Sequence, residues 1–279
     1  MPVSILDSII SKRTLALNLH NHGMSLLYQI TIMKKRTYLL IFSVALISSC
    51  SSVYMPNVPN TPMLSTKGEF SGGGHISLRG NASVNGAYAI SEHFGALFSG
   101  SLMDNDGRSK DYKHRLVEVG GGYFNNFGPD DNRIIEVYAG YGLGKTDRVF
   151  RQFDDNDVLT NTDVEEVTYN KTFFQVNYSS KKTDNIRMFG KDFPVNFGTA
   201  LRISNVEMKT FMRNGVGQLR EGNVFLEPIF FTRMRVSDNF QLQYTSSGNF
   251  GLNNRKFISA GNSLFTIGAV FNVGGYNNK

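Results

Sequence analysis

Cysteine is almost absent from this sequence, since Cys50 is the only one among 279 residues. A lone cysteine excludes an internal disulfide and with it the disulfide-stapled class of small secreted domain. Tryptophan is missing, and there are seven prolines and five histidines. We expect neither a metal site nor a cofactor, because no His, Cys, Asp or Glu spacing matches a known ligand pattern.

Long hydrophobic runs are also missing. A membrane-spanning helix requires about 20 apolar residues, and Tyr38–Ile47 supplies about half of that. Lys34–Arg36 precede this run, and the small residues of Ile47–Cys50 follow it, which is the order of a secretory signal. We predict a signal peptide over residues 33–49. A membrane anchor and plain cleavage without a lipid are the alternatives.

Residues 1–32 stand ahead of that signal, which is unusual for an N-terminal targeting element. Our hypothesis is that translation starts at Met33 and that residues 1–32 are an extension ahead of the true start codon. Mass spectrometry of the unprocessed precursor tests it, and peptides from residues 1–32 would contradict it.

The formal charge of +6 is concentrated in the leader, because residues 1–49 carry five basic residues and one acidic residue. The remaining chain has a net charge of +2. No basic run interleaved with aromatic residues remains, so we expect no nucleic-acid partner.

Three of the seven prolines fall within residues 51–66. We predict an extended tether over residues 50–67 and one β-domain over residues 68–279. That domain alternates apolar and polar residues along about ten segments of about ten residues, the length of a tilted membrane strand. Examples are Asn81–Ile90, Leu116–Phe124, Ile135–Leu143, Thr172–Tyr178, Val195–Ser204, Phe240–Thr245 and Phe265–Val273.

The connections alternate between short polar turns and longer polar loops. The longer loops are predicted at 104–112, 145–168, 212–222 and 246–256. This arrangement is typical of an up-and-down barrel, and an even number of strands leaves both ends of the barrel at the short-turn side. The link Ser180–Phe193 is too long for a short turn, so it hides a strand or has a periplasmic role.

The polar faces are rich in glycine and carry balanced charges in mid-strand. A narrow lumen needs small residues and paired charges, so we predict a lumen charge lattice of Glu118, Glu136, Glu227, Arg202, Arg233 and Arg235. Aromatic residues near the predicted strand ends indicate interfacial girdles: Tyr88, Phe94, Tyr123, Tyr169, Phe240 and Tyr244. The predicted fold class is therefore an all-β, membrane-embedded, up-and-down antiparallel barrel of about ten strands. A lipid-anchored soluble β-barrel or sandwich that binds a ligand is the alternative.

From Met33 to Lys279 the chain resembles the poorly characterised lipid-anchored outer-membrane β-barrel proteins of Gram-negative bacteria. The resemblance rests on the lipobox-like Ile47–Cys50, the Pro-rich segment after it and the strand array. It implies that Cys50 is diacylated and that the mature protein is held in the outer membrane. With both ends of the barrel at the short-turn side, we expect the lipid on Cys50 to enter the inner leaflet of that membrane there. It also implies partnership with outer-membrane lipid and with the barrel-assembly and lipoprotein-sorting machinery. The terminal aromatic residue usual in such barrels is absent from the end FNVGGYNNK.

The sequence offers few candidate catalytic residues. His114, near Asp104, Asp106 and Asp111, is the only acid–base cluster worth testing, and we expect it to be a solvated loop rather than a catalytic site. We therefore predict that the protein is not an enzyme. The predicted function is structural or surface-interacting, through the long loops of a plugged barrel whose surface ligand is unidentified. A small pore or transporter for solutes is the alternative.

Overall fold

The computed structural model describes residues 52–188, 190–259 and 264–274. Cys50, the predicted signal over 33–49 and the extension over 1–32 lie outside these residues. No helix within the described ranges is long and apolar enough to cross a membrane. Apart from a 3-10 turn at Pro129–Asp131, their regular structure is thirteen β-strands. The strands are β1 (Phe70–Ser77), β2 (Ala82–Ala89), β3 (Phe94–Asn105), β4 (Lys110–Phe127), β5 (Arg133–Phe153), β6 (Leu159–Ser180), β7 (Asp184–Met188), β8 (Lys191–Arg213), β9 (Val216–Gly217), β10 (Gly222–Arg235), β11 (Phe240–Ser247), β12 (Phe250–Gly251) and β13 (Leu264–Val273).

Ten of these strands close into an antiparallel barrel. Each pairs with its neighbours in the order β1, β2, β3, β4, β5, β6, β8, β10, β11, β13, and β13 pairs back with β1. Closure leaves the ring without an unpaired edge. The prediction of an all-β, up-and-down barrel of about ten strands is confirmed. The overlong link Ser180–Phe193 contains a missed strand, because β7 forms a hairpin with the first residues of β8.

The two faces of the barrel wall differ in chemistry. Along β4, Val117 and Val119 project outward and are more than half exposed, whereas Leu116 and Glu118 between them are buried inside. Because successive side chains of a strand point to opposite faces, this alternation follows directly from the sequence. Large apolar side chains cover the outside of the other strands as well, among them Val84, Phe98, Tyr141, Leu143, Phe174, Leu201, Ile203, Phe230, Tyr244, Ile267 and Phe271. We call this surface the outer belt. The inclusion of Tyr169 among the girdle aromatics was wrong, because its ring is buried inside the barrel.

The barrel is taller on one side. Strands β4, β5, β6 and β8 have 18, 21, 22 and 23 residues, whereas β1, β2 and β11 have 8 each. Most of the predicted loop 145–168 is in fact strand, since β5 runs to Phe153 and β6 begins at Leu159. The polar composition misled the sequence prediction, because a strand pair that extends beyond an apolar belt needs no apolar outer face.

Residues 52–65, which we call the inner segment, are buried with the exception of the partly buried Met63. They form no strand, yet their hydrogen-bond partners lie on β2, β3, β4, β5, β6 and β10. Strands on all sides of a closed ring can share one partner only across its interior. The part of the predicted tether that the structure describes therefore runs inside the barrel.

Candidate functional site in the barrel lumen

The inner segment passes along the lumen from the long-loop end to the short-turn end. At the long-loop end, Thr146 Oγ1 donates a hydrogen bond to Val53 O at 2.7 Å, and Val53 N donates to Phe257 O at 3.0 Å. Near the short-turn end, Leu64 N donates to Glu136 Oε1 at 3.0 Å. Thr146 and Glu136 both lie on β5 and are ten residues apart, which corresponds to about 33 Å of strand. Eleven residues of the segment cover this distance only if they are nearly extended.

Regularly spaced prolines explain why this segment does not join the sheet of the barrel. Pro56, Pro59 and Pro62 recur every third residue, which is the period of a polyproline II helix, and each lacks the N–H that a strand ladder needs. The asparagine after each of the first two prolines supplies polar contacts instead. Ser101 Oγ donates to Asn57 Oδ1, and Asn60 Nδ2 donates to Gly86 O at 2.7 Å.

A network of four ionic side chains occupies the upper half of the lumen, which is the half nearer the long-loop end. Lys171 Nζ lies 2.7 Å from Glu118 Oε1 and 3.8 Å from Glu227 Oε2. Arg202 Nη1 lies 3.2 Å from Glu118 Oε2. All four side chains are at most 2% exposed. Two carboxylates and two cations leave the network neutral, and such pairing is what a buried charge requires.

The inner segment takes part in this network through Tyr54. Its hydroxyl donates a hydrogen bond to Glu227 Oε1 at 2.8 Å, and Lys171 Nζ lies 5.3 Å from the centre of its ring. The Tyr54 side chain therefore satisfies a carboxylate oxygen and presents a π face to the cation. This contact connects the ion network of the wall to the segment that crosses the lumen.

Two further charged residues bind the lower half of the inner segment. Glu136 accepts hydrogen bonds from Leu64 N, from Tyr138 Oη at 3.1 Å and from Asn177 Nδ2 at 2.9 Å. Arg233 donates to the carbonyl oxygens of Thr61 and, at 3.3 Å, of Pro62. Wall side chains of both signs thus satisfy backbone groups of a segment that has no sheet partner of its own.

A second ion pair system lies higher, between the extended strands. Glu165 on β6 contacts both Arg148 on β5 and Arg213 on β8. Arg148 and Glu165 are buried, whereas the Arg213 side chain is 40% exposed. This cluster holds the tall side of the barrel together where the apolar belt has ended.

Glycine on the inner face makes room for aromatic rings of the neighbouring strand. A Cβ at Gly144 would lie 2.1 Å from Cζ of Tyr169, and one at Gly140 would lie 2.4 Å from Cζ of Phe173. Both distances are far below van der Waals contact, so these positions require glycine as long as the rings stay in place. The rings in turn fill the lumen around the inner segment, where Tyr169 packs at 5.8 Å from Tyr54 in an edge-on arrangement.

A small cavity lies at the short-turn end. Its volume is about 30 Å³ and it is lined in part by Met63, Glu69, Lys181 and Arg235, which is room for about one water molecule. Burial raises the pKa of the Glu69 carboxyl, although hydrogen bonds from Ser65 and Thr66 oppose the rise. Burial lowers the pKa of Lys181, which faces the same cavity.

The residues of the predicted charge lattice occupy different parts of the lumen. Glu118, Glu227 and Arg202 meet around Lys171. Glu136 and Arg233 lie lower and bind the inner segment instead of each other, and Arg235 is only partly buried beside the small cavity. The lattice as predicted lacks Lys171, although its position in the alternation of β6, two and four residues before Phe173 and Gln175, assigns it to the inner face.

The histidine and two of the acidic residues of the predicted cluster lie apart on the barrel wall. His114 was expected in a solvated loop but is buried, where its Nδ1 lies 3.0 Å from Thr146 Oγ1 and its ring stacks between Tyr112 and Tyr169. Asp104 and Asp106 lie outside and contact Lys113. Residues 52–188, 190–259 and 264–274 contain no group of three or more His, Cys, Asp or Glu that could hold a metal ion.

Comparison with known proteins gives structural similarity without sequence similarity. No family model and no curated protein matches the chain. Among solved structures, the translocator domain of the autotransporter NalP from Neisseria meningitidis aligns with a TM-score of 0.44 at 12% identity, over 73% of this chain and 86% of that one. The N-terminal β-barrel domain of OprF from Pseudomonas aeruginosa aligns with a TM-score of 0.29 at 11% identity, over 74% of this chain and 96% of that one. The β domain of the Bordetella autotransporter BrkA aligns with a TM-score of 0.26 at 9% identity, over 75% of this chain and 99% of that one.

Proposed function

We propose that this protein is an outer-membrane lipoprotein whose β-barrel is plugged by its own inner segment and which acts as a structural or surface-interaction protein. In this proposal Cys50 carries the lipid, and the barrel passes no solutes. The long-loop end, raised by β4, β5, β6 and β8, contacts other molecules outside the cell. Outer-membrane lipid, the barrel-assembly machinery and the lipoprotein-sorting machinery are the partners that such a protein requires.

The membrane location is supported by the outer belt. Exposed Val, Leu, Ile and Phe side chains encircle the wall, and a closed barrel with such an exterior satisfies its backbone hydrogen bonds internally, as hydrocarbon demands. A soluble β-domain would instead present this face to water, where patches of that size are unfavourable.

The proposal that the lumen is plugged is supported by the contacts of the inner segment. Its backbone and side chains are bound by Thr146, Glu136, Gln175, Glu227 and Arg233, which come from three strands of the ring, β5, β6 and β10. A barrel of about ten strands encloses little space once side chains are placed. We therefore expect the segment to block the path that a solute would need to cross the barrel.

The experiment is a fractionation of cells that express the full chain, with palmitate-analogue labelling and gel mobility with and without boiling. We expect an outer-membrane band that shifts on boiling and incorporates label, and a Cys50→Ala variant that keeps the shift but loses the label. Label retained by Cys50→Ala would reject the lipid site. A delipidated chain that is folded and monomeric in buffer without detergent would reject the membrane barrel in favour of a soluble β-domain.

A further inference from the structure

The direction in which the inner segment crosses the lumen determines where its N-terminal side leaves the barrel. The first barrel strand, β1, starts at the short-turn end, and Gly68 and Glu69 lead into it there through hydrogen bonds with Ala89. Followed backwards from β1, the chain rises through Leu64, beside Glu136, to Val53, beside Thr146 and Phe257. The N-terminal end of the inner segment therefore lies at the long-loop end.

We infer that the chain before Ser52 emerges at the long-loop end and that the acyl chains on Cys50 insert into the outer leaflet of the outer membrane. The inference rests on the proposed acylation of Cys50 and corrects the expectation that the lipid enters the inner leaflet at the short-turn side. It makes the protein a lipoprotein whose N-terminus is displayed on the cell surface.

The reach of the chain decides between the two leaflets. Cys50 precedes Val53 by three residues, so their Cα atoms are at most about 11 Å apart. The apolar band of an outer-membrane barrel is about 25 Å tall, with its short turns in the periplasm and its long loops outside. A residue within 11 Å of the long-loop end of the lumen does not reach the periplasmic leaflet, whatever path it takes.

The lumen cannot take up the acyl chains either. Around Val53 the interior is occupied by buried apolar side chains, among them Leu116, Val167 and Phe225 of the wall and Ile258 of the loop between β12 and β13. Hydrocarbon is then available only outside the barrel. The rim is low where β1 ends and β2 begins, because both strands have only eight residues and the turn at residues 78–81 joins them. Lipid on the chain therefore has a route over this rim to the outer leaflet.

The test uses one epitope inserted at three positions of the full chain and detected by antibody on intact and on permeabilised cells. The positions are between Ser51 and Ser52, in the long-loop turn between Asp155 and Asn156, and in the short turn between Ser237 and Asp238. We expect the first two epitopes to be detected equally on intact and permeabilised cells. The third should be detected only after permeabilisation. Gel mobility with and without boiling verifies that each variant is folded, and an insertion of six histidines replaces the epitope at a position where folding is lost.

The outcomes separate this inference from the proposed function. A long-loop epitope that is exposed together with a Ser51–Ser52 epitope that is protected would overturn the inference and leave the barrel and its lipid intact. A protected long-loop epitope would overturn the proposed orientation itself. If the chain without an inserted epitope incorporates no palmitate label, the proposal that it is a lipoprotein is rejected, and the outer-leaflet anchor is rejected with it.

Discussion

The inner and outer faces of the same strands follow opposite rules. Glu118 and Val119 are neighbours on β4, but Glu118 is 1% exposed within a charged network and Val119 is 57% exposed in the outer belt. The inside resembles the core of a water-soluble protein, with paired ions, buried aromatics and glycine under the rings. The outside carries large exposed apolar side chains, which is the kind of surface that membrane barrels present to hydrocarbon. The comparison teaches that polarity alone does not tell which face of a strand is interior; the geometry of closure does.

The largest expected effect is on the inside. Arg202→Met leaves two buried carboxylates with one cation, and we expect a loss of about 3–5 kcal/mol in the free energy of unfolding. The measurement is the fraction of folded, fast-migrating protein across a urea series in lipid vesicles. Arg115→Met, on the exposed outer side of β4, is the matched control, and its expected change is within about 0.5 kcal/mol.

The double variant Arg202→Met with Glu118→Gln sharpens that prediction, because it restores charge balance between Lys171 and Glu227. It should recover part of the lost stability. If the double variant is as unstable as the sum of the two single changes, the network is not a coupled unit.

The next effect concerns the outside. Val119→Arg places a cation in the middle of the outer belt and is expected to cost about 2–4 kcal/mol in lipid vesicles. Leu102→Arg is the matched control, since Leu102 pairs in register with Arg115 at the upper edge of the belt, where the cost falls to about 0–1 kcal/mol. Equal tolerance of both variants would argue that this face meets water.

A smaller effect tests the connection between the wall and the inner segment. Tyr54→Phe removes one hydroxyl and the hydrogen bond it donates to Glu227, and we expect a loss of about 1.5–3 kcal/mol. Tyr141→Phe, on the outer face, should change the urea midpoint very little. A neutral Tyr54→Phe would show that the segment is not held by this contact.

The smallest expected effect belongs to an exposed ion pair. Lys113 Nζ lies 3.2 Å from Asp104 Oδ1, and both side chains are about half exposed. Solvent screens such a pair, so Lys113→Ala should leave the urea midpoint almost unchanged. A loss as large as that of Arg202→Met would mean that burial does not govern the strength of these charge pairs.

The alternation of residue types was sufficient to predict the barrel, and closure explains why. Each strand needs one apolar and one polar face wherever the wall separates lipid from lumen, so a period of two is present in every spanning segment. Beyond the belt this requirement ends, and the polar extensions of β5 and β6 were therefore mistaken for a loop. The hairpin of β7 escaped for the same reason, because its five residues are all exposed.

The inner segment could not be placed from its own sequence. Prolines every third residue exclude a strand and are equally compatible with an extended linker in water. What holds the segment inside is the chemistry of distant residues, such as Glu136, Gln175 and Arg233, whose partners are backbone groups. Backbone groups leave no trace in side-chain patterns, so the sequence predicted a charged lumen but not the chain that crosses it.

The single-channel current of the refolded full-length protein in a planar lipid bilayer tests the central claim most directly. We predict no sustained conductance from the unaltered chain, and conductance steps from a variant in which residues 53–64 are replaced by a Gly-Ser sequence of equal length. Sustained conductance from the unaltered chain would contradict the account and identify the barrel as a pore.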